Sequence, residues 1–299
     1  MRKILIAGDV TFNSMIYLER FPQPVPQTTF SKGFHETVGG TAAGKALNLN
    51  RLGLDVTLHG LIGEDTPGGQ IRAYFEREKL AFVYDIDPKG TQRHVNLMED
   101  GGGRISIYVA YATFEPEIDL GRIETLVSGS DVVVLNLSHY CRRIIPLAKR
   151  HAKAIWCDIH DYDGQNDYHR DFIDGADVLT MSSDAMPSYR PFMEKLIASG
   201  KQLVVCTHGR KGSTALTAGR QWIETPALTC YGQRDTNGAG DAFFAGVLYG
   251  HAHGYTIDRC LRLGAITAGL CITSSELFAP ALNPAEIEKE YALHFGVDA

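Results

Sequence analysis

Between residues 234 and 246 the chain reads Arg-Asp-Thr-Asn-Gly-Ala-Gly-Asp-Ala-Phe-Phe-Ala-Gly, and two features with chemical potential meet there. Asn237-Gly238-Ala239-Gly240 is a turn with almost no side-chain bulk, and the apolar run from Ala242 to Tyr249 has the character of a buried helix. A helix opened by such a turn leaves backbone N–H groups unpaired at the positive end of its dipole, which suits an anion, most often a phosphate. Asp241 stands in the first turn of the same helix. A carboxylate is repelled by a neighbouring phosphate, so this acid either matches the helix dipole and nothing more, or takes part in the chemistry. Residue types alone leave both readings open. A dinucleotide fingerprint fits less well. Gly238-x-Gly240 copies its start, but Phe243 holds the place of the third glycine, and the motif lies late in the chain instead of after the first strand.

The stretch Asp235-Thr236-x-Gly238-Ala239-Gly240-Asp241-Ala242-Phe243 resembles the C-terminal signature of the ribokinase-like (PfkB) carbohydrate kinases. The resemblance implies that Gly238, Ala239 and Gly240 supply the amides of an anion hole, that Asp241 is the catalytic base, and that Thr236 contacts the nucleotide. A second stretch, Gly39-Gly40-Thr41-Ala42-Ala43-Gly44-Lys45-Ala46-Leu47-Asn48-Leu49-Asn50-Arg51-Leu52-Gly53, is a glycine turn, a helix rich in small residues and a glycine stop. Tight helix–sheet packing and the close approach of a ligand both explain the small residues. This stretch is similar to the family's N-terminal signature, as is Ile62-Gly63-x-Asp65-x-x-Gly68, so the resemblance covers both ends of the chain. It implies acceptor contacts at Asn13, Gly39, Gly40, Gly44 and Asp241. Thr207-His208-Gly209-Arg210-Lys211-Gly212-Ser213 reads either as a plain hairpin turn or as a nucleotide loop at a strand end; the family's Thr-x-Gly-x-x-Gly implies nucleotide contacts at Thr207, Gly209 and Gly212.

Three positions depart from the family pattern. Asn13 stands where many sugar kinases carry an aspartate for sugar hydroxyls, and Gly44 where the Gly-Gly signature carries an asparagine. Met181-Ser182-Ser183-Asp184 replaces an Asn-x-x-Glu pair that organises metal and phosphates; Asp184 matches the acid and is expected to contact the nucleotide and, indirectly, the metal, while Met181 cannot replace the amide. Asn13 can still hydrogen-bond a hydroxyl but without charge assistance. The phosphate end therefore matches better than the acceptor end.

The elements that must position these residues follow from patterning. Lys3 to Ala7 is a buried first strand. Residues 10–38 and 82–111 are β-rich, with prolines at 22, 24 and 26 and a glycine turn at 100–103, and are expected to form a small separate sheet inserted in one domain spanning 1–299; the family resemblance implies that this sheet is a lid over the substrate and a dimer contact. From residue 117 helices near 118–128, 140–152, 167–174 and 188–199 alternate with strands near 131–136, 154–158, 177–181 and 202–207, and helices near 256–275 and 284–292 close the chain. Short connections in that order predict an α/β fold: a three-layer α/β/α sandwich around a mainly parallel sheet.

At 299 residues, 44% of them hydrophobic, the chain can bury one large core, and its net charge of -6 lends no support to a nucleic-acid or membrane surface. Six cysteines without CxxC spacing read as reduced core residues of a cytosolic protein, and His251 and His253 as surface residues. The apolar run at the start is too short for a signal peptide, and no stretch is long enough to span a membrane.

The expected protein is a cytoplasmic ATP- and Mg2+-dependent kinase of a sugar or sugar-like hydroxyl, paired as a homodimer through the lid. A nucleoside kinase and a non-catalytic nucleotide- or metabolite-binding homologue are the alternatives. Whether a monovalent cation binds is left open.

Overall fold

Runs of apolar residues ending in glycine or a polar residue make the strands of a large sheet. The computed structural model describes residues 2–100 and 103–296. In chain order the strands are β1 Lys3–Ala7, β2 Thr11–Leu18, β3 Gly33–Gly39, β4 Asp55–Ile62, β5 Ala81–Ile86, β6 Arg93–Glu99, β7 Arg104–Ala110, β8 Val132–Leu135, β9 Ala154–Asp158, β10 Val178–Ser182, β11 Leu203–Thr207, β12 Ser213–Thr217 and β13 Trp222–Thr225. The α-helices are α1 Thr41–Arg51, α2 Thr66–Arg77, α3 Leu120–Ser128, α4 Ile145–Arg150, α5 Arg170–Gly175, α6 Tyr189–Ala198, α7 Ala239–Ala252, α8 Ile257–Cys271 and α9 Pro284–Phe295.

One sheet has the order β13-β12-β11-β10-β9-β8-β1-β4-β5. All pairs from β11 to β5 are parallel, and β12 and β13 extend one edge as antiparallel strands. Successive side chains of a strand point to opposite faces, so both faces here must be apolar. Ile4, Ile6, Val132, Val134, Trp156 and Val205 face α1, α7 and α8, while Leu5, Ala7, Val133, Leu135, Cys157 and Val204 face α3 to α6. This is the predicted three-layer sandwich. Each valine, leucine or isoleucine among them, fully buried, contributes about 1.5–3 kcal/mol. Helices α7 and α8 touch at glycine: a Cβ on Gly246 would lie 2.3 Å from Thr267 Oγ1.

The second sheet has the order β3-β2-β6-β7, with β2 and β6 parallel and the outer pairs antiparallel. The small sheet expected from residues 10–38 and 82–111 needs one correction. Ala81–Ile86 is the edge strand of the large sheet, paired in parallel with β4. Phe82 explains it, since its ring packs 4.8 Å from Phe75 of α2 and belongs to the main core. Of the turn expected at 100–103, Gly101 and Gly102 lie outside the described residues.

Two further expectations shift. The helix near 140–152 is a 3-10 turn, His139–Arg143, followed by α4, which restarts with Pro146 in its first turn. His251 is half-buried, its ring 5.0 Å from that of Trp156, whereas His253 is exposed, as the sequence suggests.

Candidate active site

Helix α7 begins at Ala239, after Gly238 in the left-handed region at φ 80°, and no side chain caps it. A Cβ on Gly240 would meet nothing within 4 Å, so the uncapped first turn is open. The Ala239 amide donates to the Thr236 carbonyl at 3.3 Å, and the positive end of the helix dipole points into the open turn, a position that suits an anion. Asp241, the third residue of the helix, is buried.

Two carboxylates converge on one lysine there. Lys45 Nζ donates to Asp241 Oδ1 at 2.6 Å and lies 3.1 Å from Asp158 Oδ2. The ammonium is fully buried. Lys45 projects from α1, Asp158 from the C-terminal end of β9, and Asp241 from α7, so three elements meet at this point. Burial pulls the lysine towards neutrality, but the two negative charges outweigh it and hold its pKa above the ordinary range. For Asp158, burial is outweighed by His160 and Lys45, and the carboxyl is held at about 2. Burial dominates at Asp241 and pushes it up, against the pull of Lys45.

Helix α1 reaches Asp241 because its start is fixed and bare. The Asp9 carboxylate accepts from the Thr41 amide at 3.0 Å and from the Thr41 hydroxyl at 2.9 Å, capping the helix from the end of β1. Gly40 adopts φ 100°, and a Cβ on it would lie 2.4 Å from the Asp9 carbonyl. A Cβ on Gly44 would lie 2.9 Å from Asp241 Oδ2.

A cavity of about 470 Å3 runs between this cluster and the small sheet, and Asn13, Gly40, Thr236, Gly238, Ala239, Gly240 and Asp241 line it. The small sheet gives it a polar ceiling: Asn13, His94, Asn96, Arg104, Ser106 and Tyr108 share its inner face. Thr11 donates to Asn13 Oδ1 at 2.7 Å, which leaves the Nδ2 donors of Asn13 for a ligand. Gly39 does not line the cavity; a Cβ there would overlap Asn13 at 2.0 Å, so its role is to make room.

A larger adjoining cavity, about 710 Å3, shares Asp9, Asp158 and Gly240 and extends to Thr180, Asp184 and Thr207 at the ends of β10 and β11. Strand C-termini are where ligands gather in such sheets. Thr180 Oγ1 is buried without a hydrogen-bond partner, a group a ligand there would satisfy. Gly209 and Gly212 line neither cavity among the described residues. Gly212 instead lets the chain pass close to a neighbouring strand, since at φ 100° a Cβ on it would lie 2.1 Å from the Thr225 carbonyl. Tyr108, Tyr111 and Phe114 stand half-exposed along the rim of this larger cavity.

Sequence reasoning missed Lys45, Asp158, Asp9 and the ceiling residues Asn96, Arg104 and Ser106. Asp158 closes a buried parallel strand, which is a legible signal. Lys45 is a single charge in a run of alanine, glycine and leucine, also legible in principle. The ceiling residues need the pairing of β2, β6 and β7, which no local pattern supplies.

The sequence profile of the pfkB family carbohydrate kinases matches residues 1–283. An acarbose 7(IV)-phosphotransferase from Actinoplanes sp. is 26% identical over 95% of this chain and 96% of its own length. The solved structure of a microbiome-derived acarbose kinase superposes with a TM-score of 0.87 at 26% identity, covering 96% of this chain and 98% of the other. Arabidopsis thaliana ribokinase, solved with ribose and ATP, shares the fold at a TM-score of 0.81 and 20% identity, over 96% and 98% of the two chains. The chain belongs to the pfkB family of carbohydrate kinases.

Proposed function

We propose that the protein transfers the terminal phosphoryl group of ATP to a hydroxyl of a small sugar or sugar-like acceptor. The observation that carries this reading is Asp241, a buried carboxylate in the first turn of a helix that no side chain caps, in a cavity roofed by polar side chains. Phosphoryl transfer asks a protein mainly for positioning and charge stabilisation. Asn13, Asn96 and Ser106 orient acceptor hydroxyls from the ceiling. Asp241 accepts the proton of the reacting hydroxyl, and the amides of the 238–240 turn hold the charge that gathers on the transferred group. Thr207, Asp184 and Thr236 contact the nucleotide, with Gly209 and Gly212 shaping its loop. Magnesium would supply further charge neutralisation at the nucleotide phosphates, and Asp184 at the cavity wall would help to hold it, indirectly. The relatives named for acarbose support a carbohydrate acceptor. A nucleoside acceptor is the second reading, favoured by the aromatic rim of Tyr108, Tyr111 and Phe114.

The same reading includes a homodimer. Ile16, Phe34, Leu97, Ile105 and Ile107 lie on the outer face of the small sheet, with Phe34 61% and Ile107 46% exposed, an apolar face that a second copy would cover. It also includes a cytoplasmic location: the cysteines are free thiols, five of them buried, which suits a reducing compartment. No helix among the described residues is long and apolar enough to cross a membrane.

The test is an ADP-release screen over sugars, oligosaccharides and nucleosides, followed by Asp241→Asn on the best acceptor. The substitution keeps the size and removes the base. Turnover is expected to fall by at least about a hundredfold. Nucleotide affinity should hold or improve, because a charge near the phosphates has gone. Turnover within a fewfold of wild type would overturn the assignment and leave a nucleotide-binding homologue as the better reading.

A further inference from the structure

The family signature carries an asparagine where this chain has Gly44, and the next residue is a fully buried lysine. These two facts fit together in space. Glycine lets the start of α1 lie against Asp241, since a Cβ at Gly44 would fall 2.9 Å from Oδ2 and 3.0 Å from the Asp241 Cβ. Lys45, one position on, reaches the other oxygen, Oδ1, at 2.6 Å. Its ammonium lies over Phe244, 5.2 Å from the ring centre, and the side chain is fully buried.

A buried ammonium loses its hydration and persists only where opposite charges face it. Asp241 and Asp158 face it here, so the lysine counters two charges at once. The groups that face Asp241 from the packed elements are Lys45 of α1, Asp158 and His160 at the end of β9, and the Cys271 thiol of α8. Burial pushes that thiol up to about 12, so it is neutral; His160 Nδ1 is 3.3 Å from Asp158 Oδ2 on the cavity side.

We propose that Lys45 is the positioning residue of the proton-accepting carboxylate: it clamps Asp241 through Oδ1, favours the ionised form against burial, and leaves Oδ2 for the acceptor hydroxyl. The proposal rests on the kinase reading above. Gly44 and Lys45 act as one unit, the first giving the carboxylate space and the second its counter-charge. Asp158 opposes this effect, because its own negative charge competes for the same ammonium and repels Asp241.

The opposition makes the proposal testable by sign. The base works only when deprotonated, so its ionisation sets the acid limb of the rate. Single-turnover phosphorylation of the best acceptor is measured against pH for wild type, Lys45→Met and Asp158→Asn. Removing the ammonium should move the acid limb upward by about one to three pH units, with activity recovering at high pH. Asp158→Asn should move it downward. A lysine that merely packs would not give shifts of opposite sign. In the Asp241→Asn background, Lys45→Met should slow the reaction no further. A folded Lys45→Met, checked by ADP binding and thermal melt, with an unmoved acid limb would overturn the proposal. Should Lys45→Met fail to fold, Asp158→Asn decides, and an unmoved or upward limb overturns it. An inactive Asp241→Asn beside an unmoved limb sinks the role of Lys45 alone; an active Asp241→Asn sinks the kinase reading with it.

Discussion

The hydroxyl of Tyr17 donates to Asp235 Oδ2 at 2.8 Å, joining residues 218 positions apart in the chain. Tyr17 lies on β2 of the small sheet, and Asp235 opens the turn that leads into α7. The other oxygen, Asp235 Oδ1, accepts from the Asn237 amide at 2.8 Å and fixes that turn. From β7, Arg104 Nη1 donates to Asn237 Oδ1 at 2.7 Å. The small sheet is thus tied at two points to the loop that would hold the transferred phosphoryl group. If the small sheet closes as a lid in the proposed reaction, this tie would couple its closure to the order of the 235–241 turn and so keep water out as an acceptor.

Tyr17→Phe removes one tie and keeps the ring. Burial, and after it the hydrogen bond to Asp235, pushes the Tyr17 pKa up, so the hydroxyl stays a donor throughout the working range and no pH break arises from it. The buried Asp235 oxygen loses a partner, which should cost about 1–3 kcal/mol of stability. The acceptor KM is expected to rise several-fold, with more ATP hydrolysis in the absence of acceptor, while nucleotide affinity holds. Steady-state kinetics with separate assays of ADP and phosphorylated product check this. An unchanged acceptor KM and an unchanged hydrolysis rate would show that the tie does not govern closure.

Asp65 gives a pH-dependent test of the fold. It caps α2 by accepting from the Gly68 amide at 2.8 Å, and it also accepts from the Thr91 amide at 2.7 Å and hydroxyl at 2.5 Å. Burial pushes its pKa up, but the bonds from Thr91 and Gly68 outweigh burial, and the net shift is downward. A carboxyl with a depressed folded pKa contributes stability above its unfolded value, about 3.9, and loses it as pH falls through the folded value. Asp65→Ala should cost about 1–2 kcal/mol at pH 7 through the lost cap. The gap in melting temperature between wild type and variant should narrow below about pH 4. A gap of constant size down to pH 3 would mean the carboxylate charge has no part in it.

Much of this is legible in the sequence. The glycine turn and apolar run at 238–249 point to α7 and Asp241, because a missing side chain and a buried face are both local facts. The parallel core is legible for the same reason: Val132–Leu135 and Leu203–Thr207 are apolar on both faces, as a strand covered by helices must be. Phe82 misleads, because alternation tells strand from helix but not which sheet a strand joins. Lys45 escapes notice because lysine is ordinarily exposed, and only the meeting of α1, β9 and α7 gives it two carboxylates. In the sequence Gly44 looks like a missing side chain, whereas in the fold its smallness is what admits Asp241.

The closeness of Gly44 to Asp241 leads to a test in the active site. Gly44→Ala adds one methyl group, placed 2.9 Å from Asp241 Oδ2, 3.0 Å from its Cβ and 3.2 Å from its Cγ. The helix itself should not object, since alanine is favoured over glycine in a helix interior by about 1 kcal/mol. The Gly44 amide donates to the Gly40 carbonyl at 2.9 Å, an ordinary helical bond that alanine keeps. The strain therefore falls on the carboxylate, which must swing away while Lys45 still holds Oδ1. A displacement of about 1 Å at a reacting group can cost on the order of a hundredfold in rate. The chemical step is expected to slow by about ten- to a hundredfold, with nucleotide affinity unchanged and the melting temperature within a few degrees of wild type. Single-turnover kinetics beside a thermal melt separate the two effects. A variant as fast as wild type would mean that Asp241 is not held in place by α1, and that the glycine serves helix packing alone.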